Sequence, residues 1–517
     1  LFYDEHTYGA AESISDPLAE NTIIQWNEKA AYAWEAVKKS RLLKEKAMGF
    51  IQPYIQKSEV PSIAIFNTLN WPRSGLVTIY IDYEILPKDK DFKIIDYQGN
   101  EIASQALESR SDGTYRGLWV EDIPAMGYRL FRIEVSDNNR VVNKNKEFNN
   151  VFENEFYKLV IDKEKGTISS LIDKNLNLEL LDKNDSVEMG QFIYEQLENR
   201  QQMERFMYNK IDTVYVPLAG ERKNLTDITV LKAEKGPVWN SLFLSGSMHG
   251  CADDRGVNLE IRLYNKEKRI ELHYSMHKQA VTSPESVYVA FPFKLSGSKL
   301  VFEVQGGMVY PGVNQLEGTA MDWNTIQNFA AIRNDKAQIV FGSNDIPLVQ
   351  FGDINTGRYY YKHQPTTSHI YSWVLNNYWT TNFRASQEGE MKWSYFITSS
   401  DDNTNSTATR IGWGNRIPFL TRVLPSGNET AKITNQSLLD FDVPNVLLIS
   451  AIPAMDGDGV ILHLRETDGK DAIIEINEML NNSGSVSEVN VLEEKIKKIN
   501  NKIVSKPYET KFVRVEK

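Results

Sequence analysis

Asp4-Glu5-His6, followed by Thr7-Tyr8-Gly9, is the first cluster in the chain whose residue types could do chemistry. A lone histidine near a terminus is ordinarily polar surface, so the other histidines set the context: His249, His273, His277, His363, His369 and His463. His273 and His277 have the i, i+4 spacing that suits zinc on a helix. They lie, however, in "IELHYSMHKQ", where apolar residues alternate. In a strand, side chains four residues apart share a face but stand more than about 10 Å apart, so this pair reads as ordinary sheet histidines. His363 and His369 fall in "YKHQPTTSHI", a loop-like stretch suited to a surface or binding-loop role rather than to a metal. No H-x-D pair, HExxH, G-x-S-x-G or P-loop pattern occurs, which leaves serine-hydrolase and nucleotide chemistry without support. Cys251 is the only cysteine, so neither an intrachain disulfide nor a thiolate zinc cluster can form. One free thiol fits a reducing compartment without excluding a bacterial periplasm.

Two further stretches hold residues that could face a sugar. "NQLEGTAMDW" (314–323) contributes Asp322 and Trp323, and "NNYWTTNF" (376–383) contributes Asn377 and Trp379. Aromatic faces stack on pyranose rings, and Asn or Asp hydrogen-bond to hydroxyls. The competing reading is that Trp323, Trp379 and Trp393 pack in a core or between domains.

These candidates need elements to position them. Residues 17–52 read as helix, with Asp16 as N-cap and Pro17 at the first helical position. Ile23, Trp26, Ala30, Ala33, Trp34, Val37, Leu42 and Ala47 recur close to a 3.6 period. Such a helix cannot bury its apolar face alone, and the rest of the chain offers few partner helices. After Pro61 the period changes to two, as in "SIAIFNTLNW" and "GLVTIYIDYE". Strands follow at 92–97, 116–121 and 127–135, and then a polar, Asn-rich linker at 136–150. Residues 151–400 are almost all β-like and predict a large sandwich of two packed sheets. A short loop at 401–408 leads to a last set of strands, with Asp468-Gly469 as a hairpin turn. The segment "LEEKIKKINNKI" (492–503) reads as a solvated helix or loop. The expected fold is therefore mainly β: the end of a helical bundle (1–57), a small β-sandwich (58–136), a large β-sandwich (151–400) and a C-terminal β-domain (409–517).

Composition limits the function classes. With 58 Lys and Arg against 69 Asp and Glu, the net charge of −11 argues against a nucleic-acid partner, which needs a basic face. No apolar run approaches the roughly 20 residues that span a bilayer, so no membrane partner is expected.

An ordered series of stretches resembles the C-terminal part of glycoside hydrolase family 38, the retaining, zinc-dependent α-mannosidases. "DEHTYGA" (4–10) looks like the bacterial form of a segment that supplies a zinc-ligand histidine. "IAIFNTLNWPRSGLVTI" (63–79) and "IPAMGYRLFRI" (123–133) look like its first β-domain. "ENEFYKLVIDKEKGTISSLIDKNLNLEL" (153–180), "ESVYVAFPF" (285–293), "VYPGVNQLEGTAMDWNTIQNFAAI" (309–332) and "NNYWTTNFRASQEGEMKWSYFI" (376–397) resemble its large sandwich, and "PYETKFVRVE" (507–516) its terminal strand. The resemblance implies hydrolysis of terminal α-mannosyl linkages with retention, by two carboxyl groups about 5 Å apart, and a zinc ion that grips vicinal sugar hydroxyls. It implies that His6 is one zinc ligand. It also implies that the nucleophile, the acid/base and the remaining ligands belong to an α/β catalytic domain upstream of this chain. On that expectation the isolated chain is inactive and its zinc site empty. Its partners are then an α-mannoside-containing glycan and the missing catalytic domain, with a homo-oligomer as a candidate assembly. The alternative is a non-catalytic glycan-binding or scaffolding β-sandwich protein.

Overall fold

The structure, a computed structural model, describes residues 9–139, 150–203, 217–252, 256–319, 321–358, 364–380, 382–427, 435–437, 439, 441–476 and 484–516. It is mainly β: antiparallel sheets follow one long N-terminal helix. His6, His363 and most of the expected linker 136–150 lie outside the described residues.

The long helix runs Glu20–Ile51 and starts later than the sequence predicts. Asp16 is not its cap. The chain turns through Asp16-Pro17-Leu18, and Ala19 takes the N-cap position without a side-chain hydrogen bond. Only Thr22, Trp26 and Met48 are buried along it. The helix is held near its two ends. Trp26 packs with Ala10 and Ala385, and Arg422 reaches Gln52 at 2.9 Å and Glu45 at 3.3 Å. Between these points the predicted apolar stripe is largely bare: Trp34 is 74% exposed and Leu42 56%.

The small sandwich follows. Strand Ser62–Asn67 pairs with Gly127–Asn139, and Arg73–Asp82 pairs with Gly113–Ile123. Inward residues at alternate positions, among them Ile63, Ile65, Val77, Ile79, Leu118 and Phe131, form its core. Its first sheet is completed from far away in the chain, since strand Leu420–Leu424 pairs with Ser62–Asn67 and Asn435–Ser437 pairs with Gly127–Asn139. The "FNTLNWPR" stretch is the joint of this region. Asn67 accepts the Leu69 N–H at 3.1 Å and donates to the Trp71 carbonyl at 2.8 Å. Asn70 exchanges hydrogen bonds with the backbone of Val446 and Leu448 in the C-terminal region.

The large sandwich packs a six-stranded sheet against a nine-stranded one, and a four-stranded sheet of residues 151–179 contributes to the same core. In the six-stranded sheet the order is Gly220–Asn224, Gln191–Leu197, Glu285–Phe291, Ile370–Asn376, Leu348–Phe351 and Asn324–Thr325. Strand Glu285–Phe291 is buried at every position, because one face meets the main core and loops cover the other.

The expected loop at 401–408 instead opens a second helix, Asn405–Arg416, in which the Thr404 side chain caps the Thr407 N–H. Gly412 lets this helix lie against Phe329, whose Cδ1 would stand 2.6 Å from an added Cβ. In the C-terminal region the Asp468-Gly469 turn does not close a hairpin. Strand Val460–Glu466 pairs with Val446–Pro453 and Thr510–Glu516, whereas Ala472–Glu475 pairs with Lys502–Ser505 in another sheet. The basic stretch at 492–503 contains the edge strand Lys495–Ile499 rather than a helix. Its exposed lysines suit a sheet edge, where charge discourages pairing with another chain.

Candidate functional site

Strand Ile370–Asn376 delivers the loop that carries two of the four sugar-facing candidates. At its start the Asn377 side chain is buried and fully engaged with backbone. It accepts the Glu285 N–H at 2.6 Å and donates to the carbonyls of Val281 (3.0 Å), Ser283 (2.9 Å) and Ala385 (2.7 Å). An amide with two acceptor lone pairs and two N–H donors has little left for a ligand. Arg200 supports the same loop, donating to the carbonyls of Asn377, Trp379 (2.9 Å) and Thr282 (2.6 Å).

Trp379 and Trp323 stand together, half-buried, at the outer face of the six-stranded sheet. Their ring centroids are 5.9 Å apart at 73°. Trp323 packs edge-on to Trp373 at 5.6 Å, and Trp373 stacks on Tyr288 at 6.0 Å. Phe383 continues the row outward at 5.9 Å from Trp379 and is 38% exposed. Asp322 is buried, at 2% exposure. The structure thus brings Trp323 and Trp379 together and spends Asn377 on the loop itself.

Beneath these rings lies a polar network that sequence reasoning missed. Glu195 receives hydrogen bonds from Tyr378 (2.5 Å), Tyr288 (3.4 Å) and the Arg222 guanidinium. Burial, with Tyr288 and the Glu195 carboxylate nearby, holds the Tyr378 hydroxyl well above the usual tyrosine range, so it remains a donor. The available signal was Glu195 itself, a carboxylate in the largely buried strand "QFIYEQL". Alongside, Lys278 and Glu285 form a buried ion pair at 2.8 Å, and Tyr194 donates to Glu285 at 2.8 Å.

The N-terminal segment docks on this same loop. A Cβ on Gly9 would stand 2.0 Å from the Asn382 carbonyl oxygen and 2.6 Å from the Phe383 carbonyl carbon. The two backbones therefore touch, and only glycine fits. Lys29 donates to the Gly9 carbonyl at 2.5 Å. Ser13 accepts from the Ala10 N–H and the Trp26 indole, each at 2.8 Å, and Arg384 lies over the Trp26 ring at 5.3 Å.

The remaining candidates are placed as follows. His273 bonds to Glu271 at 2.8 Å and His277 to Glu390 at 2.9 Å, both on strand Ile270–Lys278. His369, expected at the surface, is only 3% exposed, with ring nitrogens 3.6 and 3.8 Å from Asp182 and Asp185. The strand that follows it carries the ring into the sandwich. Cys251 is buried, and burial pushes its thiol up to about 11. Among the described residues no three His, Cys, Asp or Glu side chains form a group that could hold a metal ion. These donors alone do not fit a zinc site.

Comparison with known proteins bears on the region around the site. Residues 152–341 match the family model described as the glycosyl hydrolases family 38 C-terminal domain. A solved structure of a protein in glycosyl hydrolase family 38 from Enterococcus faecalis aligns with a TM-score of 0.69 at 12% identity, covering 97% of this chain and 63% of that one. An alpha-mannosidase from Enterococcus faecalis V583 aligns with a TM-score of 0.67 at 13% identity, covering 96% of this chain and 60% of that one. At such identities the likeness is one of fold, and the chain spans less than two thirds of either structure's length. No curated protein matches the sequence. The matched domain and the shared fold agree: residues 152–341 match the family 38 C-terminal domain, and the chain around them shares its fold with these two structures.

Proposed function

We propose that this chain is the β-rich, site-flanking part of a zinc-dependent α-mannosidase that cleaves terminal α-mannosyl linkages with retention. The nucleophile and the acid/base reside on a catalytic domain outside these residues, so the chain alone is inactive. The observation that carries this reading is the contact of Gly9 with Asn382 and Phe383. It joins the stretch containing His6 to the stretch containing Asn377 and Trp379, two segments that resemble the same family independently.

Each residue then has a role. His6 is one ligand of a zinc set completed by residues beyond this chain, and Gly9, three positions on, tethers that ligand to the sandwich. Trp323 and Trp379 offer apolar ring surface to the glycan, and Asp322 helps to shape the loop beside them. Asn377 and Arg200 hold the loop in place. The exposed stripe of the long helix packs against the catalytic domain.

Two experiments test the reading. This chain with added zinc is expected to show no turnover of an aryl α-mannoside, and zinc-dependent turnover would overturn its catalytic incompleteness. In the complete enzyme, His6→Ala is expected to abolish zinc-dependent activity, and near-normal rates in that variant would remove the ligand assignment. Tight, metal-independent binding of mannose by this chain would favour a glycan-binding module instead.

A further inference from the structure

We infer that Asn377 is a positioning residue: it sets the height of the 377–385 loop so that the loop backbone meets Gly9, and it thereby holds the N-terminal segment against the large sandwich. The consequence for a zinc ligand at His6 rests on the functional proposal above; the coupling itself does not.

The four hydrogen bonds of the Asn377 side chain reach two separate pieces of chain. Val281, Ser283 and Glu285 belong to the approach to a fully buried strand. Ala385 lies on the far side of the loop. The amide therefore ties both ends of the loop to the start of the fully buried strand Glu285–Phe291. Glu285 is itself fixed by Lys278 and Tyr194. Ala385 then packs on Ala10 and Trp26, and the intervening Asn382 and Phe383 form the surface that excludes a side chain at position 9. An unbroken path of contacts runs from the sheet through Asn377 and Ala385 to Gly9 and the first turns of the long helix. A gap of about 0.5–1 Å at such a backbone-to-backbone contact already forfeits a quarter to a half of its dispersion attraction, so a loop held by one buried amide is a sensitive control on docking.

The test uses this chain as it is. Asn377→Asp keeps the acceptor for the Glu285 N–H but removes the donors and sets a carboxylate against three carbonyls. We expect amide exchange at residues 9–16 to quicken by on the order of tenfold or more, while the nine-stranded sheet keeps its protection. With 5-fluorotryptophan incorporated, the Trp26 resonance, assigned through Trp26→Phe, should move toward the solvent-exposed position. A role confined to general stability would lower the melting temperature and leave that resonance in place. Arg200→Gln removes the outer support of the same loop and should give the same pattern in weaker form. It carries the test if Asn377→Asp does not fold. Gly9→Ala undocks the segment from the other side, so its effect on exchange should not add to that of Asn377→Asp. Unchanged protection at 9–16 in a folded Asn377 or Arg200 variant, or fully additive effects with Gly9→Ala, would overturn the inference. None of these readouts needs zinc or substrate. The coupling can therefore survive the loss of the His6 assignment, and fail without it.

Discussion

The large sandwich and the long helix treat their apolar residues in opposite ways. The sandwich gathers its apolar residues into one shared core, buries strand Glu285–Phe291 on both faces, and pairs buried charges such as Lys278 with Glu285 and Glu303 with Arg465. The helix buries Trp26 and Met48 and leaves Trp34, Leu42, Leu43 and Phe50 in solvent. A helix in water draws most of its stability from packing an apolar face. One held only near its ends leaves its apolar stripe uncovered by the rest of the described residues. The contrast separates residues that maintain the fold from residues that present a surface.

Glu303 offers the strongest way to break that comparison. Its buried carboxylate receives Trp413 at 2.8 Å, Asn328 at 2.8 Å and Arg465 at 3.0 Å, which links the large sandwich, the second helix and the C-terminal region. Arg465→Ala leaves the carboxylate without its counter-charge and should cost about 3–5 kcal/mol, read by denaturant unfolding; a loss as small as that of a surface change would contradict the keystone role. Gly412→Ala forces a methyl into Phe329 and should cost about 1–3 kcal/mol, checked by the same unfolding curves.

A pH series sharpens the same point. Burial pushes the Glu271 carboxyl up, but Arg269, His273 and Tyr264 outweigh it and hold the group well below the usual carboxylate range. A depressed folded pKa contributes stability that is fully present above the unfolded value and is lost as pH falls through the folded one. Glu271 should therefore help to stabilise the fold above about pH 4.5 and lose that contribution steadily in more acid solution. Glu271→Gln should flatten the acid limb of the stability profile, and an unchanged limb would exclude the effect. The smallest change is expected on the helix: Trp34→Ser should alter the stability of this chain by no more than about 0.5 kcal/mol. If the proposed function holds, the same substitution should weaken association with a catalytic domain supplied in trans, measured by titration calorimetry. A large loss of stability in this chain would mean that the stripe is covered here after all.

The legibility of each feature followed the range of the interaction behind it. The strands of the large sandwich could be read because alternation is local: Val257–Tyr264 and Ile270–Lys278 flank a charged turn in the sequence and pair in the fold. The helix at 405–416 escaped notice because Gly412 and Gly414 weaken its local pattern, and contact with Phe329 supplies the reason for the first of them. Asp468-Gly469 has the chemistry of a hairpin turn, but the partner of Ala472–Glu475 is a strand some thirty residues on, a choice no dipeptide can encode. At the site, Trp323 and Trp379 were recognisable by type. The engagement of Asn377 with four backbone groups, and the Glu195 network beneath the rings, were not.

Residue order alone established the class of fold, most of the strands, a net charge of −11, and a resemblance to glycoside hydrolase family 38 whose C-terminal domain matches residues 152–341. Periodicity, charge and short motifs are properties of neighbouring residues, so they survive without coordinates. Tertiary structure decided which faces are covered, that strand Leu420–Leu424 returns to the small sandwich, and that Gly9 meets Asn382 and Phe383. Those outcomes depend on contacts between residues hundreds of positions apart, where the nearest atom, not the nearest neighbour in the chain, sets the energy.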